Sequence, residues 1–181
     1  MALTTNYNAI FSGDTIVSVQ GSASTDATAM TSQAGTATAA GDTITAVANT
    51  TGFALPDVVH VVGATQKFIN VLRTITTNTS LRLWDNLRVT ASEAVTVTKM
   101  EELPLYFDMP FVAREVEWVD ETNGITWTWR DGMAQGSAYK RVWATGVQTL
   151  EVGVGLILFQ NKLCVGPTVA PVSSTFRFRV I

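Results

Sequence analysis

An all-β protein is what this sequence predicts, and three features carry that expectation. Thr, Val and Ile together supply 57 of the 181 residues, and side chains branched at Cβ suit a pleated surface better than a helix. No window sustains the i, i+3, i+4, i+7 apolar spacing of an amphipathic helix. Short alternating runs, such as Thr43-Ile44-Thr45-Ala46-Val47 and Phe176-Arg177-Phe178-Arg179-Val180, are instead separated by frequent turn signals.

Composition narrows the class further. Charged residues make up 15% of the chain, against roughly 25% in ordinary soluble domains. So little charge predicts that much of the surface is covered by another chain. The formal net charge of −3 supplies no basic field for nucleic acid or an anionic membrane, and neither is expected as a partner. A lone Cys164 and a lone His60 cannot build an intrachain disulfide or the usual zinc frameworks. No metal and no cofactor are expected. The first residues carry no basic run followed by an apolar one, so no signal peptide is expected. The longest apolar stretch, Val152 to Phe159, holds two glycines and is too short to span a bilayer.

The N-terminal stretch is unusual. Residues 1–66 contain no Lys or Arg, and Gly21 to Gly41 is built from small residues around a single Met30. Alone it buries too little apolar surface to offset the entropy of ordering it. It reads either as a flexible linker or as an extended arm that orders by lying across a neighbouring subunit. Residues 1–40 are assigned to such an arm. Tyr7, Ile10, Phe11, Ile16, Val17 and Val19 are its candidate anchors for contact with that neighbour, and Ile16 to Val19 is a short strand.

Residues 41–100 then read as a small β-barrel module. Strands are expected at Thr43 to Val47, Val58 to Val62, Lys67 to Ile75, Leu81 to Trp84, Leu87 to Thr90 and Ala94 to Thr98. Gly52-Phe53-Ala54-Leu55-Pro56-Asp57 is turn chemistry. So many short strands in under sixty residues predict a closed barrel or compact sandwich.

Residues 101–181 predict an antiparallel, jelly-roll-like β-sandwich. Leu105 to Met109, between Pro104 and Pro110, is a connection. Asn123-Gly124 between two strand-like runs signals a hairpin. A two-residue loop there would set Thr122 opposite Ile125, Trp118 opposite Trp129 and Glu117 opposite Arg130. Later strands are expected at Tyr139 to Ala144, Val147 to Phe159, Lys162 to Val165 and Ser174 to Ile181.

Catalytic chemistry finds no constellation. His60 sits in Val58-Val59-His60-Val61-Val62 with nothing nearby in sequence to orient it, and reads as a buried or interface histidine. Neither Gln135-Gly136-Ser137-Ala138 nor Gln20-Gly21-Ser22-Ala23 completes a nucleophile elbow. Gly153-Val154-Gly155 lacks the rest of a dinucleotide fingerprint and reads as a bend within a long strand. Glu115 and Glu117 share one side of a strand and could hold a cation or act as an acid/base pair, but Arg114 and Arg130 are simpler partners for them. Cys164 is a small buried hydrophobe. The chain is not expected to be an enzyme. The tryptophans leave two readings open. Trp118, Trp127 and Trp129 share one hairpin face that Trp143 can join, and this face is either core and subunit interface or a platform for glycan stacking.

One segment resembles a known module. Gly41-Asp42-Thr43-Ile44-Thr45, Thr51-Gly52-Phe53-Ala54-Leu55-Pro56-Asp57-Val58-Val59 and Ile75-Thr76-Thr77-Asn78-Thr79-Ser80-Leu81-Arg82-Leu83-Trp84 resemble a small β-barrel recurring in tailed-bacteriophage virion proteins. That barrel runs from a Thr/Gly strand to a Gly-Phe turn, then a strand and a closing "T.t.sL.L" strand. Pro56 stands where the module usually has Gly. The resemblance spans residues 41–98 and implies a virion location, with no catalytic residues to carry over. As a whole the chain is similar to capsid decoration (cement) proteins, which are small, all-β and often trimeric, with an arm laced over the major capsid protein. This resemblance implies a non-catalytic protein on the capsid exterior, made in the host cytoplasm, whose partners are the major capsid protein and copies of itself, a trimer first. Removing residues 1–40 would then abolish shell binding and leave the β units folded. The alternative is a tail or head fibre receptor-binding module recognising a host glycan through the Trp face.

Overall fold

The computed structural model describes residues 3–12, 15–25, 30–65, 67–87, 89–104, 113–159 and 162–181, with the backbone alone for 3–5, 7–12, 15–17, 102–104, 158–159 and 162. Among these residues every regular element is a strand and none is a helix. The connection expected at 105–109 lies outside them. Two compact units form, and the chain order of one is interrupted by the other. Met1–Ala29 with Glu101–Ile181 make the first, and Met30–Met100 the second.

The N-terminal residues therefore divide differently from a single arm. β1 (Leu3–Ser12) and β2 (Thr15–Thr25) form an antiparallel hairpin. β3 (Ser32–Ala37) begins the second unit. Described small residues of the Gly21 to Gly41 stretch face larger partners from elsewhere in the chain. Gly21 lies opposite Phe178 and Ala23 opposite Phe176. At Gly35 a Cβ would come within 2.6 Å of Ile44 Cγ2. A segment too small to make a core can still pack closely against someone else's. Removing residues 1–40 takes a strand from one unit and two from the other, so the two units are not expected to stay intact without them.

In the second unit, β3 is joined by β4 (Thr43–Thr45), β5 (Val58–Gly63), β6 (Lys67–Thr76), β7 (Ser80–Leu83) and β8 (Glu93–Lys99). They close a barrel in the order β3-β4-β7-β6-β5-β8. Closure leaves no unpaired edge. Ala37, Ile44, Val59, Val61, Leu72, Leu81, Leu83, Val95 and Val97 fill it. Leu87 and Val89 are buried in the same core but belong to no strand. Their backbones bond irregularly, Leu87 N donating to Gly41 O at 2.6 Å and Val89 O accepting from Ala40 N at 3.0 Å. Arg82 Nε donates to Asp42 Oδ2 at 2.7 Å and Thr43 Oγ1 to Oδ1 at 2.9 Å, and these bonds hold the Asp42 carboxyl below its ordinary range. A depressed carboxyl stabilises the fold above its unfolded pKa and loses that contribution as pH falls.

The turn before β5 is pinned by Asp57. Its Oδ2 accepts from Ala54 N at 2.7 Å, and its Oδ1 lies 3.0 Å from Lys99 Nζ on β8. The carboxylate is nearly buried, and losing it removes both a part-buried hydrogen bond and an ion pair to the half-exposed Lys99. Asp57→Ala is expected to cost the barrel about 1–3 kcal/mol, measured by urea denaturation. Asp57→Asn keeps an acceptor for Ala54 without the ion pair and should fall between the two.

The first unit continues with β9 (Glu101–Pro104), β10 (Glu115–Asp120), β11 (Ile125–Arg130) and β12 (Ala138–Val142). β13 (Gln148–Glu151), β14 (Leu156–Phe159), β15 (Lys162–Val165) and β16 (Thr175–Val180) complete it. One antiparallel sheet has the order β1-β2-β16-β10-β11-β12-β13, and a second the order β14-β15-β9. Pro104 sits in β9, an edge strand, where a missing N–H is tolerated. Residues from both sheets share one core, with Trp118, Trp127 and Phe176 packed in the same cluster as Leu156, Leu163 and Val165.

Two local expectations change. The β10–β11 hairpin is closed by four residues, with Asp120 opposite Ile125, Trp118 opposite Trp127 and Glu115 opposite Arg130. Asp120 causes the longer turn: its carboxylate accepts from Asn123 N at 3.0 Å and Asn123 Nδ2 at 2.8 Å, an Asx-type closure. Because the slip is two residues, every side chain keeps its face. The long strand expected over 147–159 is two strands in two sheets. Gly153 and Gly155 have φ of 67° and 91°, a region costly for other residues, and Val154 N and Gly155 N both donate to Gly136 O.

Candidate functional site

Alternation divides the seven-stranded sheet into two chemically distinct faces. On the inner face Trp118, Trp127 and Trp129 are buried in the sandwich core. They form no platform, and the Nε1 atoms of all three lack a hydrogen-bond partner among the described residues. Of the four tryptophans singled out in sequence, only Trp143 is at the surface, 49% exposed. It lies apart from the other three, bonded to Thr126 on the outer face.

The outer face is polar and ordered in rows. By register, Gln20, Arg179, Glu117, Thr128, Tyr139 and Leu150 stand side by side across six strands. The neighbouring row runs Ser22, Arg177, Val119, Thr126, Arg141 and Gln148. A cleft of about 650 Å³ lies over these rows, with Gln20, Glu117, Thr126, Arg177, Arg179 and Trp143 around it. Gly21 and Phe178 also line it.

Trp143 is held from three sides. Its backbone N donates to Gly124 O at 2.9 Å, and its Nε1 donates to Thr126 Oγ1 at 2.8 Å. Its ring lies over Gly124, where a Cβ would meet Cε3 at 3.5 Å. The same Asn-Gly sequence that turns the hairpin thus seats the indole.

The charges of this face are mostly paired. Arg130 Nε is 2.9 Å and Arg179 Nη2 3.6 Å from Glu115, and Arg177 Nε is 2.5 Å from Glu121. Glu117 has no hydrogen bond or ion pair among the described residues. Glu115 and Glu117 do share a side, but guanidinium groups already occupy Glu115. Among the described residues no group of three His, Cys, Asp or Glu side chains is placed to hold a metal ion.

The remaining candidates are dispersed. His60 and Cys164 are buried, in β5 and β15. Val19 is buried in the sandwich core. Tyr7, Ile10, Phe11, Ile16 and Val17 lie on β1 and β2 by backbone register, and their side chains lie outside the described residues. Sequence reasoning had not gathered Gln20, Thr126, Arg177 and Arg179 into a site. The alternation in Phe176 to Val180 already pointed both arginines to one side; the missing signal was which strands flank them. No family model matches the chain, and no curated protein or solved structure matches it.

Proposed function

We propose that the chain is a non-catalytic structural protein of a virus particle, which binds and stabilises a capsid shell as a decoration (cement) protein. One observation carries this reading. The segment that resembles the bacteriophage virion module, residues 41–98, supplies β4 to β8, five of the six strands of one closed barrel, the sixth being β3 from just before it. Low charge supports a surface that is largely covered in use. The partner is the major capsid protein on the shell exterior, met by the N-terminal hairpin, whose β1 is a sheet edge. Many weak contacts repeated around a shell supply strength without one tight site.

Self-association, a trimer first, uses the opposite edge of that sheet. β13 has a neighbour on one side only, and Val147, Leu150 and Val152 beside it are 55%, 54% and 65% exposed. An unpaired strand bearing apolar side chains invites pairing with another chain, and Lys is the residue that blocks it. Leu150→Lys is expected to shift the trimer to monomer in sedimentation velocity with the β-sheet circular dichroism unchanged. An unaltered oligomer would remove β13 from the interface.

The direct test of the virion reading is quantitative mass spectrometry of purified particles against their major capsid protein. Copies on the order of hundreds per particle are expected of a repeated shell contact. About a dozen would move the protein to the tail or a vertex, and absence would overturn the reading.

A further inference from the structure

We propose that the outer-face cleft of the seven-stranded sheet binds a neutral glycan, one sugar ring stacking on Trp143 and its hydroxyls held by Glu117, Gln20, Arg177 and Arg179. The proposal goes beyond the virion reading and stands or falls apart from it.

Trp143 is already in position for such a ligand. Gly124 beneath the ring, the Nε1 bond to Thr126 and the backbone bond to Gly124 fix it before anything binds. Little side-chain entropy is then lost on binding. With its N–H satisfied and half its surface exposed, the indole offers a flat apolar plane. The C–H face of a pyranose ring is a flat apolar surface of matching size. The three tryptophans of the inner face, being buried, offer none.

The polar groups suit hydroxyls better than ions. A sugar hydroxyl donates and accepts at once, so it fits where a carboxylate stands beside a guanidinium. Glu117 is directly opposite Arg179 across the β10–β16 pair and accepts nothing from the described residues. Arg177 and Arg179 each engage one carboxylate through one nitrogen, which leaves most of the five guanidinium N–H donors available. Gln20, exposed on β2 opposite Arg179, brings both a donor and an acceptor.

Charge argues against an anionic ligand. Glu115, Glu117 and Glu121 stand against Arg130, Arg141, Arg177 and Arg179, an excess of a single positive charge. Arg177 and Arg179 already stand beside carboxylates, so the face offers only a weak field to a phosphate, a sulfate or an acidic sugar. Volume is consistent with a short oligosaccharide: 650 Å³ falls within the usual range of roughly 300–1,000 Å³ for small-ligand sites. The cleft also lies over β2, β16, β10 and β11, on the strands away from the β13 edge assigned to self-association.

The test titrates the full chain, in its own oligomeric state, by calorimetry with four neutral probes: maltoheptaose, cellohexaose, mannohexaose and chitohexaose. A heparin hexasaccharide is the anionic probe. At least one neutral probe is expected to bind with Kd of about 0.1–1 mM and to change the tryptophan fluorescence. Trp143→Ala and Glu117→Gln should each weaken that binding about tenfold or more with unchanged circular dichroism. Trp84→Ala, which removes the exposed tryptophan of the barrel, should leave it intact. Absence of binding by all four neutral probes, binding of heparin alone, or unchanged binding by Trp143→Ala would each overturn the proposal.

Discussion

Trp118→Ala is expected to lower the stability of the sandwich by about 3–5 kcal/mol, the range for deleting a large ring from a packed core. Trp118 has no solvent exposure. Its ring centroid lies 5.0 Å from that of Phe176 and 5.7 Å from that of Phe178, stacked on the latter at 18°. Trp127 sits opposite it on β11. The strands on both sides of Trp118, β16 and β11, therefore contribute rings to it, and a cavity here cannot collapse without moving both. One feature of the site works the other way: Trp118 Nε1 is buried with no partner among the described residues, and an unmet donor costs about 1–3 kcal/mol. Trp118→Phe removes that donor and keeps most of the ring, so it should cost clearly less than Trp118→Ala. Urea unfolding followed by the fluorescence of Trp127 and Trp129 measures both. A loss below about 1 kcal/mol for Trp118→Ala would mean that the ring is not part of a close-packed core.

Much of this was legible because strands write their own pattern. The alternation in Phe176 to Val180 and the run Lys162 to Val165 became β16 and β15 within a residue or two of the expected bounds. The hairpin of tryptophans formed with its faces as expected, although its register moved by two. That shift depended on Asp120, whose carboxylate reaches forward to Asn123. A dipeptide turn signal carries no record of what its neighbour's side chain will accept.

Other features were not legible, for a different physical reason. Small residues have no periodicity of burial of their own; partners far along the chain decide where they pack. Gly21 and Ala23 belong to the sandwich because Phe178 and Phe176 face them, more than 150 residues away. Gly35 belongs to the barrel because Ile44 crowds it. The cleft has the same origin. Arg177, Arg179 and Glu117 were each readable as outward residues, but Gln20 joins them only through the β2–β16 pairing. Trp143 departs from the inner-face tryptophans because the turn glycine, not the strand alternation, seats its ring.

Gly35→Val is the second substitution with a large expected effect, and it tests the assignment that most separates the folded chain from its sequence reading. A Cβ at Gly35 would lie 2.6 Å from Ile44 Cγ2, 3.1 Å from Thr45 O and 3.3 Å from Val47 Cγ2. Ile44 and Val47 are buried, and Thr45 O belongs to the backbone of the paired strand, so neither a side chain nor a carbonyl can retreat freely. Overpacking of this kind costs about 1–3 kcal/mol, sometimes more, and two added methyl groups should bring Gly35→Val to about 3 kcal/mol at least. Gly35→Ala should cost less. Combining Gly35→Ala with Ile44→Ala removes the atom in the way, so the double variant should lose less than the sum of the two singles, a coupling that separates a direct clash from a general weakening of the strand. Thermal unfolding by circular dichroism reads all four proteins. An unchanged melting curve for Gly35→Val would take β3 out of the barrel, without touching the pairing of β1 and β2 in the other unit; additive losses would leave the strand in place but remove Ile44 as its neighbour.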